Sequence, residues 1–215
     1  MTDHARFNPA SLRTEFGEID IYVFDQLLRG RIAPGMRVFD AGSGGGRNLV
    51  YLLRQGYEVC GNDADPNAIA QVTALAASLS PNPAFDFRVE PIEQTSFPDA
   101  HADVVMASAV LHFARDPGQF EAMLRQLWRV LRPGGMFFAR LASTIGIEGH
   151  VHPIGAGRFR LPDGSDRFLV DAAAIAAWTA RLGGTLIDPI KTTVVHEQRS
   201  MTTWVARRFS GAYQR

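Results

Sequence analysis

The sequence has 215 residues, 46% of them hydrophobic, and its 22 basic and 22 acidic residues give zero formal net charge. This length suits one domain over residues 1–215 with its own core, and the balanced charge argues against a nucleic-acid partner. The single cysteine, Cys60, excludes an internal disulfide framework, and the lack of a secretory signal or a membrane-spanning run favours a cytoplasmic enzyme with no membrane partner.

The N-terminal segment, residues 1–33, is predicted to be helical. Its apolar side chains between Ser11 and Leu28 recur at helical spacing. This segment precedes the first predicted strand.

The stretch Arg37–Gly56 is typical of a strand, a glycine-rich turn and a helix. Val38 and Phe39 form a short apolar run that ends in Asp40, and four of the next six residues are glycine. This layout lets the backbone approach a nucleotide-like ligand closely. A plain turn is the alternative, but it would not require the entropy cost of so many glycines.

Asp40 discriminates between the ligands that such a turn can hold. A dinucleotide fingerprint places a pyrophosphate at the helix N-terminus, and a carboxylate beside it would repel that phosphate. The same carboxylate would attract an ammonium. The pattern therefore favours S-adenosylmethionine, which carries an ammonium and a sulfonium but no phosphate.

Asp63 follows the second predicted strand, Glu58–Asn62, about 20 residues after the glycine turn. At this place a nucleotide-binding fold puts an acid on the ribose hydroxyls, and a carboxylate can accept from both. Capping of the next helix is the alternative for Asp63, although Asp65 before Pro66 is the better N-cap.

The rest of the chain continues the alternation of strands and helices. This alternation predicts a doubly wound α/β fold with the ligand at the carboxyl ends of the strands. Further strands are predicted at Phe85–Val89, Val104–Ala107, Met136–Leu141, Leu186–Ile190 and Met201–Arg207, and further helices at 66–79, Gln119–Leu131 and Val170–Leu182.

These motifs, in this order, resemble class I S-adenosylmethionine-dependent methyltransferases over roughly residues 35–208. The glycine turn, Asp63, the run Phe97–Asp103 and the turn Leu131–Gly135 carry the resemblance, with Ala102 where the family usually has an aromatic residue. It implies a seven-stranded Rossmann-like sheet in the order 3-2-1-4-5-7-6, with the last strand antiparallel, and residues 1–33 as a helical cover over the cofactor cleft.

Two shorter stretches, Gly46-Arg47-Asn48 and Gly56–Val59, look similar to tellurite- and thiopurine-type small-molecule methyltransferases.

The resemblance also implies which residues bind S-adenosylmethionine and its product S-adenosylhomocysteine. These are Asp40, Gly42, Ser43, Gly44, Gly46, Asn48, Asp63, Ala64, Ile92, Glu93 and Ala109. Pro91 stands where the family usually has an Asp that accepts from the adenine amino group. Glu90 or Glu93 is expected to substitute for it, with Ile92 against the adenine face, and a solvated loop acid is the alternative for Glu93.

The resemblance places the end of the fourth strand beside the transferred methyl group. His112 is therefore the candidate catalytic base, because its unperturbed pKa lies near neutrality. A structural role in bridging the loop to the next helix is the alternative. Tyr22 in the helical cover and Arg140 are the candidate substrate-binding residues, and Phe16 with Tyr22 is expected to cover the site or simply to pack on the sheet.

Residues 142–169 are predicted to be a long irregular insertion, rich in glycine and polar residues, that acts as a lid. His150, His152 and Glu148 are interpreted as solvent-facing, so no metal is expected. Arg158 and Arg160, with Arg140, suit an anionic acceptor, and ordinary surface arginines are the alternative.

The expected function is methyl transfer from S-adenosylmethionine to a small-molecule acceptor by a monomer or homodimer. The sulfonium is a good leaving group, so alignment of the reactants does most of the work and a soft nucleophile needs no base. The alternatives are a methyltransferase-like cofactor-binding protein without turnover and a nucleotide-dependent oxidoreductase.

Overall fold

The structure, a computed structural model, describes residues 9–81 and 84–211. The helices are α1 (Pro9–Phe16), α2 (Ile21–Leu28), α3 (Val50–Arg54), α4 (Pro66–Leu79), α5 (Pro117–Val130) and α6 (Ala172–Arg181). The strands are β1 (Arg37–Ala41), β2 (Glu58–Asp63), β3 (Phe85–Val89), β4 (Ala102–Ser108), β5 (Leu131–Ala142), β6 (His152–Gly155), β7 (Arg158–Arg160), β8 (Asp166–Phe168), β9 (Gly184–Leu186), β10 (Lys191–Val195) and β11 (Arg199–Arg208). Short 3-10 helices lie at Ile92–Gln94 and Leu111–Phe113.

The central sheet has the strand order β3-β2-β1-β4-β5-β11-β10. The strands β1 to β5 pair in parallel, whereas β11 pairs antiparallel to β5 and to β10. With β10 as the sixth strand and β11 as the seventh, this is the predicted order 3-2-1-4-5-7-6, and the prediction is confirmed.

Helices cover both faces of this sheet because alternate residues of its buried strands point to opposite sides. On one face, a cluster joins the strand residues Phe39, Phe137 and Trp204 to Phe120 and Leu124 of α5 and Ile175 of α6. On the other face, Val38 and Phe138 pack with Leu52 of α3 and Val72 of α4. The carboxyl ends of the parallel strands stay uncovered by these clusters and form one edge of the sheet.

The predicted strand Leu186–Ile190 is wrong in its bounds. The partner of β11 is divided into β9 and β10, and residues 187–190 run irregularly between them. Two side chains explain the interruption. Pro189 lacks the N–H that a ladder needs, and Asp188 is buried against Arg31, with an Oδ2 to Nη1 distance of 2.8 Å.

The predicted turn Leu131–Gly135 belongs to the start of β5. Leu131 pairs with Ala102, and the register then shifts before Val104. Gly134 has a φ of 76° in this irregular start, which explains how the chain turns and pairs with β4 in the same few residues.

Residues 142–169 are only partly irregular, so the prediction of a wholly irregular insertion is wrong. They contain a three-stranded antiparallel sheet, β6-β7-β8. A small cluster of Ile147, Val151, Leu161 and Leu169 packs beneath it. These strands have only three or four residues each, so their alternation is too short to recognise in the sequence.

Gly61 sets the spacing of β1 and β2 at this edge. It pairs with Asp40 in the parallel ladder, and a Cβ placed on it would lie 2.4 Å from the Asp40 carbonyl oxygen. Because a strand backbone is a rigid neighbour, any side chain here would push the two strands apart.

We therefore expect Gly61→Ala to lower the free energy of unfolding by about 1–3 kcal/mol, the usual cost of overpacking. The melting temperature should fall by roughly 2–12 °C. Gly149→Ala is the matched control, because no described atom lies within 4 Å of its added Cβ. Equal melting temperatures for the two variants, measured by calorimetry, would contradict the assigned strand spacing.

Candidate active site

The glycine turn closes against the neighbouring strand at the carboxyl edge of the sheet. Gly42 N and Ser43 N both donate to the Asn62 carbonyl oxygen, at 2.8 and 3.1 Å. Gly42 has a φ of 65°, and a Cβ on it would lie 2.5 Å from Val110. The position therefore requires glycine for two reasons, its backbone conformation and its close packing.

Asp40 lies beneath this turn and is buried. Burial raises the pKa of its carboxyl to about 7; the positive charge of Arg47 lowers the pKa, and the negative charge of Asp63 raises it. A buried carboxylate favours its neutral form unless a cation approaches it. Asp40 does not line either space at the glycine turn, and its contact with a ligand ammonium stays a prediction.

The loop pocket lies over the glycine turn and has a volume of about 540 Å³. Its lining includes Ser43, Arg47, Asn48 and Ala109. The Ser43 hydroxyl is buried without a hydrogen-bond partner among the described residues. The Arg47 guanidinium is half exposed, and its Nη2 donates to Ser108 Oγ at 3.0 Å. The pocket thus offers a free hydroxyl and a cation above a buried acid, which suits the amino-acid end of S-adenosylmethionine.

The side cleft continues from the loop pocket on the other side of Gly42. Its lining includes Asp63, Ala64, Pro91, Ile92 and Glu93, and its volume is about 170 Å³. The structure thus brings the predicted ribose-binding and adenine-binding residues into one cleft.

Asp63 supports the backbone around this cleft. Its Oδ2 accepts from Gly44 N at 2.9 Å, and its Oδ1 accepts from Asp65 N at 3.0 Å. Asp65 is the N-cap of α4, with its side chain accepting from Asn67 N. Each Asp63 oxygen has a second lone pair, so ribose binding by Asp63 is compatible with these contacts and stays a prediction.

The two glutamates of the predicted adenine loop have different roles. Glu90 accepts from Ser96 N and from the Ser96 hydroxyl, so it closes its own loop and does not line the cleft. Glu93 lines the cleft, and its Oε1 accepts from Gln119 Nε2 at 2.7 Å. Ile92 is buried beside it. Of the two acids, only Glu93 lines the cleft, and its contact with an adenine stays a prediction.

Sequence reasoning missed Asp20, which organises the other side of the loop pocket. Its side chain is fully buried, caps α2 through Tyr22 N, and accepts from Arg140 Nη1 at 2.9 Å. Its own N–H donates to Asn48 Oδ1 at 2.9 Å. Asn48 therefore serves first as an anchor for the helical cover. The sequence does indicate Asp20 as a helix cap, because an Asp stands directly before α2. It does not indicate the ion pair with Arg140, because the two residues are 120 positions apart.

A second cavity opens beyond the ends of β4 and β5. This arginine cavity has a volume of about 280 Å³ and is lined by Ala109, His112, Arg140, Ala142, Leu161, Asp163, Ser165, Arg167, Thr193, Val195, Arg199 and Met201. Ala109 lines the loop pocket as well, with a φ of 64° that is unusual for a residue with a side chain. The two spaces therefore meet at Ala109.

His112 is buried in the wall of the arginine cavity. Burial lowers the pKa of its imidazole to about 4, and the charge of Arg167 adds to this lowering. Its Nδ1 lies 3.3 Å from Ala142 N and accepts that hydrogen bond, which leaves the proton of the neutral ring on Nε2. This geometry favours His112 as a hydrogen-bond donor rather than as a base. The catalytic role of His112 stays a prediction.

Arg140 lines the cavity, whereas Tyr22 is not part of the lining and contacts two residues that are, Arg140 and Thr193. The Tyr22 hydroxyl is 2.8 Å from Thr193 Oγ1, and the Arg140 guanidinium lies 5.5 Å from the centre of the Tyr22 ring. Phe16 instead stacks on Tyr51 with a ring-centre distance of 5.1 Å, so it packs α1 on α3.

The other residues singled out in the insertion lie away from this cavity. Arg160 pairs with Asp166 across β7 and β8, and Arg158 is not part of the lining. His150 pairs with Glu197 at 3.3 Å, and His152 is exposed on β6. Within the described ranges, no group of three or more His, Cys, Asp or Glu side chains is arranged to hold a metal. The cavity instead contains Arg167 and Arg199, which the sequence pattern did not distinguish from other surface arginines.

Comparison with known proteins identifies the class. Residues 39–139 match the family described as a methyltransferase domain. An uncharacterized methyltransferase of Synechocystis is 34% identical over 108 residues, which are 49% of this chain and 47% of that protein. The chain thus spans about half the length of that relative. The tRNA 5-carboxymethoxyuridine methyltransferase of Escherichia coli K12 is 27% identical over 185 residues, covering 80% of this chain and 69% of that protein.

A solved structure supports the fold. The 1,6-didemethyltoxoflavin-N1-methyltransferase of Burkholderia thailandensis, crystallised with bound 1,6-didemethyltoxoflavin and S-adenosylhomocysteine, superimposes with a TM-score of 0.68 at 19% identity. The match covers 93% of this chain and 82% of that structure.

Residues 39–139 match a methyltransferase domain, and the central sheet has the strand order expected of a class I S-adenosylmethionine-dependent methyltransferase. The predictions of this class and of S-adenosylmethionine as the cofactor are confirmed. The likeness to tellurite- and thiopurine-type enzymes stays a prediction. No helix in the described part of the chain has the length and apolar character needed to cross a membrane.

The raised pKa of Asp40 predicts a pH dependence of cofactor binding. The ligand ammonium stabilises the ionised carboxyl, so protonation competes with binding below the pKa of about 7. Affinity for S-adenosylhomocysteine, measured by calorimetry, should therefore rise roughly 10-fold from pH 6 to pH 7.5, by proton linkage.

Asp40→Asn is the control for this slope. It should bind more weakly and show little change between the two pH values, because it has no proton to lose. A wild-type affinity that is flat over this range would mean that the ammonium does not meet Asp40.

Proposed function

We propose that the protein transfers a methyl group from S-adenosylmethionine to a small-molecule acceptor held in the arginine cavity. The observation that carries this proposal is the position of Ala109, which lines both the loop pocket and the arginine cavity. A methyl group leaving the loop pocket past Ala109 would enter the cavity directly. The cavity volume of about 280 Å³ is at the small end of ligand pockets, roughly 300–1,000 Å³.

Bound S-adenosylmethionine would supply an electrophilic methyl group on a sulfonium. Asp40 and Arg47 would hold the amino-acid end by opposite charges, while Asp63 and Glu93 would accept from the ribose and the adenine. The buried Ser43 hydroxyl would gain the partner that it lacks among the described residues. These contacts fix the direction in which the methyl group points, and proximity then lowers the barrier.

His112 is proposed to orient the acceptor through Nε2–H rather than to remove a proton. A group whose pKa is about 4 is neutral at pH 7 but a weak base. Acceptors that need no deprotonation, such as a thiol that is already ionised or another soft nucleophile, fit this wall best.

The segment 142–169 is proposed to cover the acceptor. It supplies Leu161, Asp163, Ser165 and Arg167 to the cavity wall. Its ends lie side by side, because Ser143 bridges Val170 and Thr144 N donates to the Val170 carbonyl oxygen at 2.9 Å.

A second acceptor class is a modified tRNA nucleoside, favoured by the similarity to the Escherichia coli tRNA methyltransferase. The zero net charge speaks against a broad nucleic-acid surface. Methyl transfer from labelled cofactor to bulk tRNA and to a small-molecule panel would separate the two classes. Cofactor binding without transfer to either would support a binding protein without turnover.

Cofactor selectivity tests the proposal directly. S-adenosylmethionine and S-adenosylhomocysteine should raise the melting temperature, by about 2.7 kcal/mol of added stability at 100-fold excess over Kd. NAD should not, because Asp40 disfavours a phosphate on the glycine turn. Stabilisation by NAD alone would refute the assignment.

Asp63→Ala should weaken S-adenosylhomocysteine binding by about 1.5–3 kcal/mol, the loss expected for charge-assisted hydrogen bonds. Asp65→Ala is the matched control, because it removes the neighbouring cap of α4 without touching the side cleft. Calorimetry in which both variants bind equally well would place the ribose elsewhere.

Replacement of residues 145–169 by a short glycine linker tests the cover. Cofactor affinity should stay within about threefold of wild type, since Asp40 and Asp63 are untouched, whereas methyl transfer to any acceptor of the intact chain should fall at least 100-fold. Unchanged transfer would show that the segment has only a structural role.

A further inference from the structure

The arginine cavity carries more positive than negative side chains. Arg140, Arg167 and Arg199 line it together with a single carboxylate, Asp163. Each of these charges has a different set of partners, and those partners decide which charge is left for a ligand.

Arg140 has a buried carboxylate partner, which Arg47 shares at the longer distance of 3.9 Å. Arg140 Nη1 donates to the fully buried carboxylate of Asp20 at 2.9 Å. An ion pair of this kind leaves little charge for a third group.

Arg167 has no carboxylate within ion-pairing distance among the described residues. Its Nη1 donates to the Asp166 backbone carbonyl oxygen at 2.8 Å, and its guanidinium lies 4.9 Å from the centre of the Phe113 ring. These contacts hold its position without cancelling its charge. The charge reaches the cavity walls, because Arg167 helps to lower the pKa of His112 and the pKa of Asp163.

Arg199 begins β11 on the opposite wall and is exposed. It makes no side-chain hydrogen bond or ion pair with any residue in the described ranges. Its charge also contributes to the lowered pKa of Asp163, after the larger effect of the Ser165 hydrogen bonds.

The single negative charge of Asp163 can neutralise the positive charge of only one of these two arginines. Its Oδ1 accepts from Ser165 N at 2.9 Å and from Ser165 Oγ at 2.6 Å, which fixes it on its own turn. Two arginines therefore face one carboxylate, and the cavity keeps an excess of one positive charge. Its remaining surface includes the apolar side chains of Leu161 and Met201.

We infer that the acceptor carries one carboxylate on an apolar body, and that Arg167 and Arg199 bind this carboxylate. Planar guanidinium groups match carboxylate geometry. A phosphate monoester shares the anionic chemistry, but its charge of nearly two would exceed the single uncompensated charge. The inference rests on the proposed function, because it names the substrate class of the same cavity.

The test compares acids with their amides, which have the same shape but no charge. Benzoate and 3-phenylpropionate are titrated against benzamide and 3-phenylpropionamide, with phenyl phosphate as a third arm. Binding to the full chain is measured by calorimetry or ligand-observed NMR, with and without saturating S-adenosylhomocysteine. Each acid should bind at least 10-fold more tightly than its amide, as expected for charge-assisted hydrogen bonds.

Variants assign the preference to the two arginines. Arg199→Gln should remove most of the preference for acids over amides. The double variant, which combines Arg199→Gln and Arg167→Gln, should bring the ratio of acid to amide affinity near one. Arg158→Gln is the matched control. Arg158 lies on the same small sheet as Arg167 but does not line the cavity, so this variant should keep the preference for acids. Melting temperature and S-adenosylhomocysteine affinity report whether each variant is folded.

Each outcome decides between carboxylate recognition and its alternatives. Acids that bind no better than amides, including a panel in which neither binds, overturn the inference, as does a preference that survives the double variant. Tighter binding of phenyl phosphate overturns the choice of a carboxylate. If acids are preferred but S-adenosylhomocysteine does not bind, the proposed function fails while the anion site stands.

Discussion

Asp20, through its buried carboxylate and its backbone N–H, joins four parts of the chain at the carboxyl edge of the sheet. It caps α2, its N–H binds Asn48 behind the glycine turn, and its Oδ2 lies 3.4 Å from Ser108 Oγ and 2.9 Å from Arg140 Nη1. A buried charge that loses its partner costs several kcal/mol. The helical cover, the loop pocket and the wall of the arginine cavity are therefore held in one arrangement.

The parts of the site that the sequence predicted depend on local patterns. The glycine turn after Asp40, and Asp65 as the cap of α4, follow from residue types at short spacing, which fix backbone geometry within a few positions. The same reasoning predicted the parallel strands: short apolar runs indicated β1 and β4, and alternation indicated β3. The strand order came from the family resemblance rather than from these patterns.

The parts that were missed depend on contacts between distant segments. Nothing near Asp20 in the sequence indicates Arg140 as its partner. Arg160 pairs with Asp166 whereas Arg167 lines the cavity, and the register of β7 and β8 sets these two positions. In strands of three residues that register cannot be inferred from alternation alone.

The insertion shows how one fold can serve many acceptors. Chemistry lives in sites that are carried on a common scaffold, and here the sheet edge carries the glycine turn while residues 142–169 supply five of the twelve residues that line the arginine cavity. The segment packs on the rest of the domain at two places. Its small apolar cluster includes Ala142 of β5 and contacts Met201 of β11, and Phe168 stacks on Phe120 of α5 with a ring-centre distance of 4.6 Å.

The adjacent ends of this insertion, at Ser143 and Val170, have a consequence for how such a protein diversifies. A segment that leaves and re-enters the sheet at one point behaves as a cassette: its length and sequence can change without altering the span that the core must bridge. Loop closure costs grow only slowly with length. The acceptor can thus change through exchange of the cassette, while the residues proposed to bind the cofactor remain under separate selection.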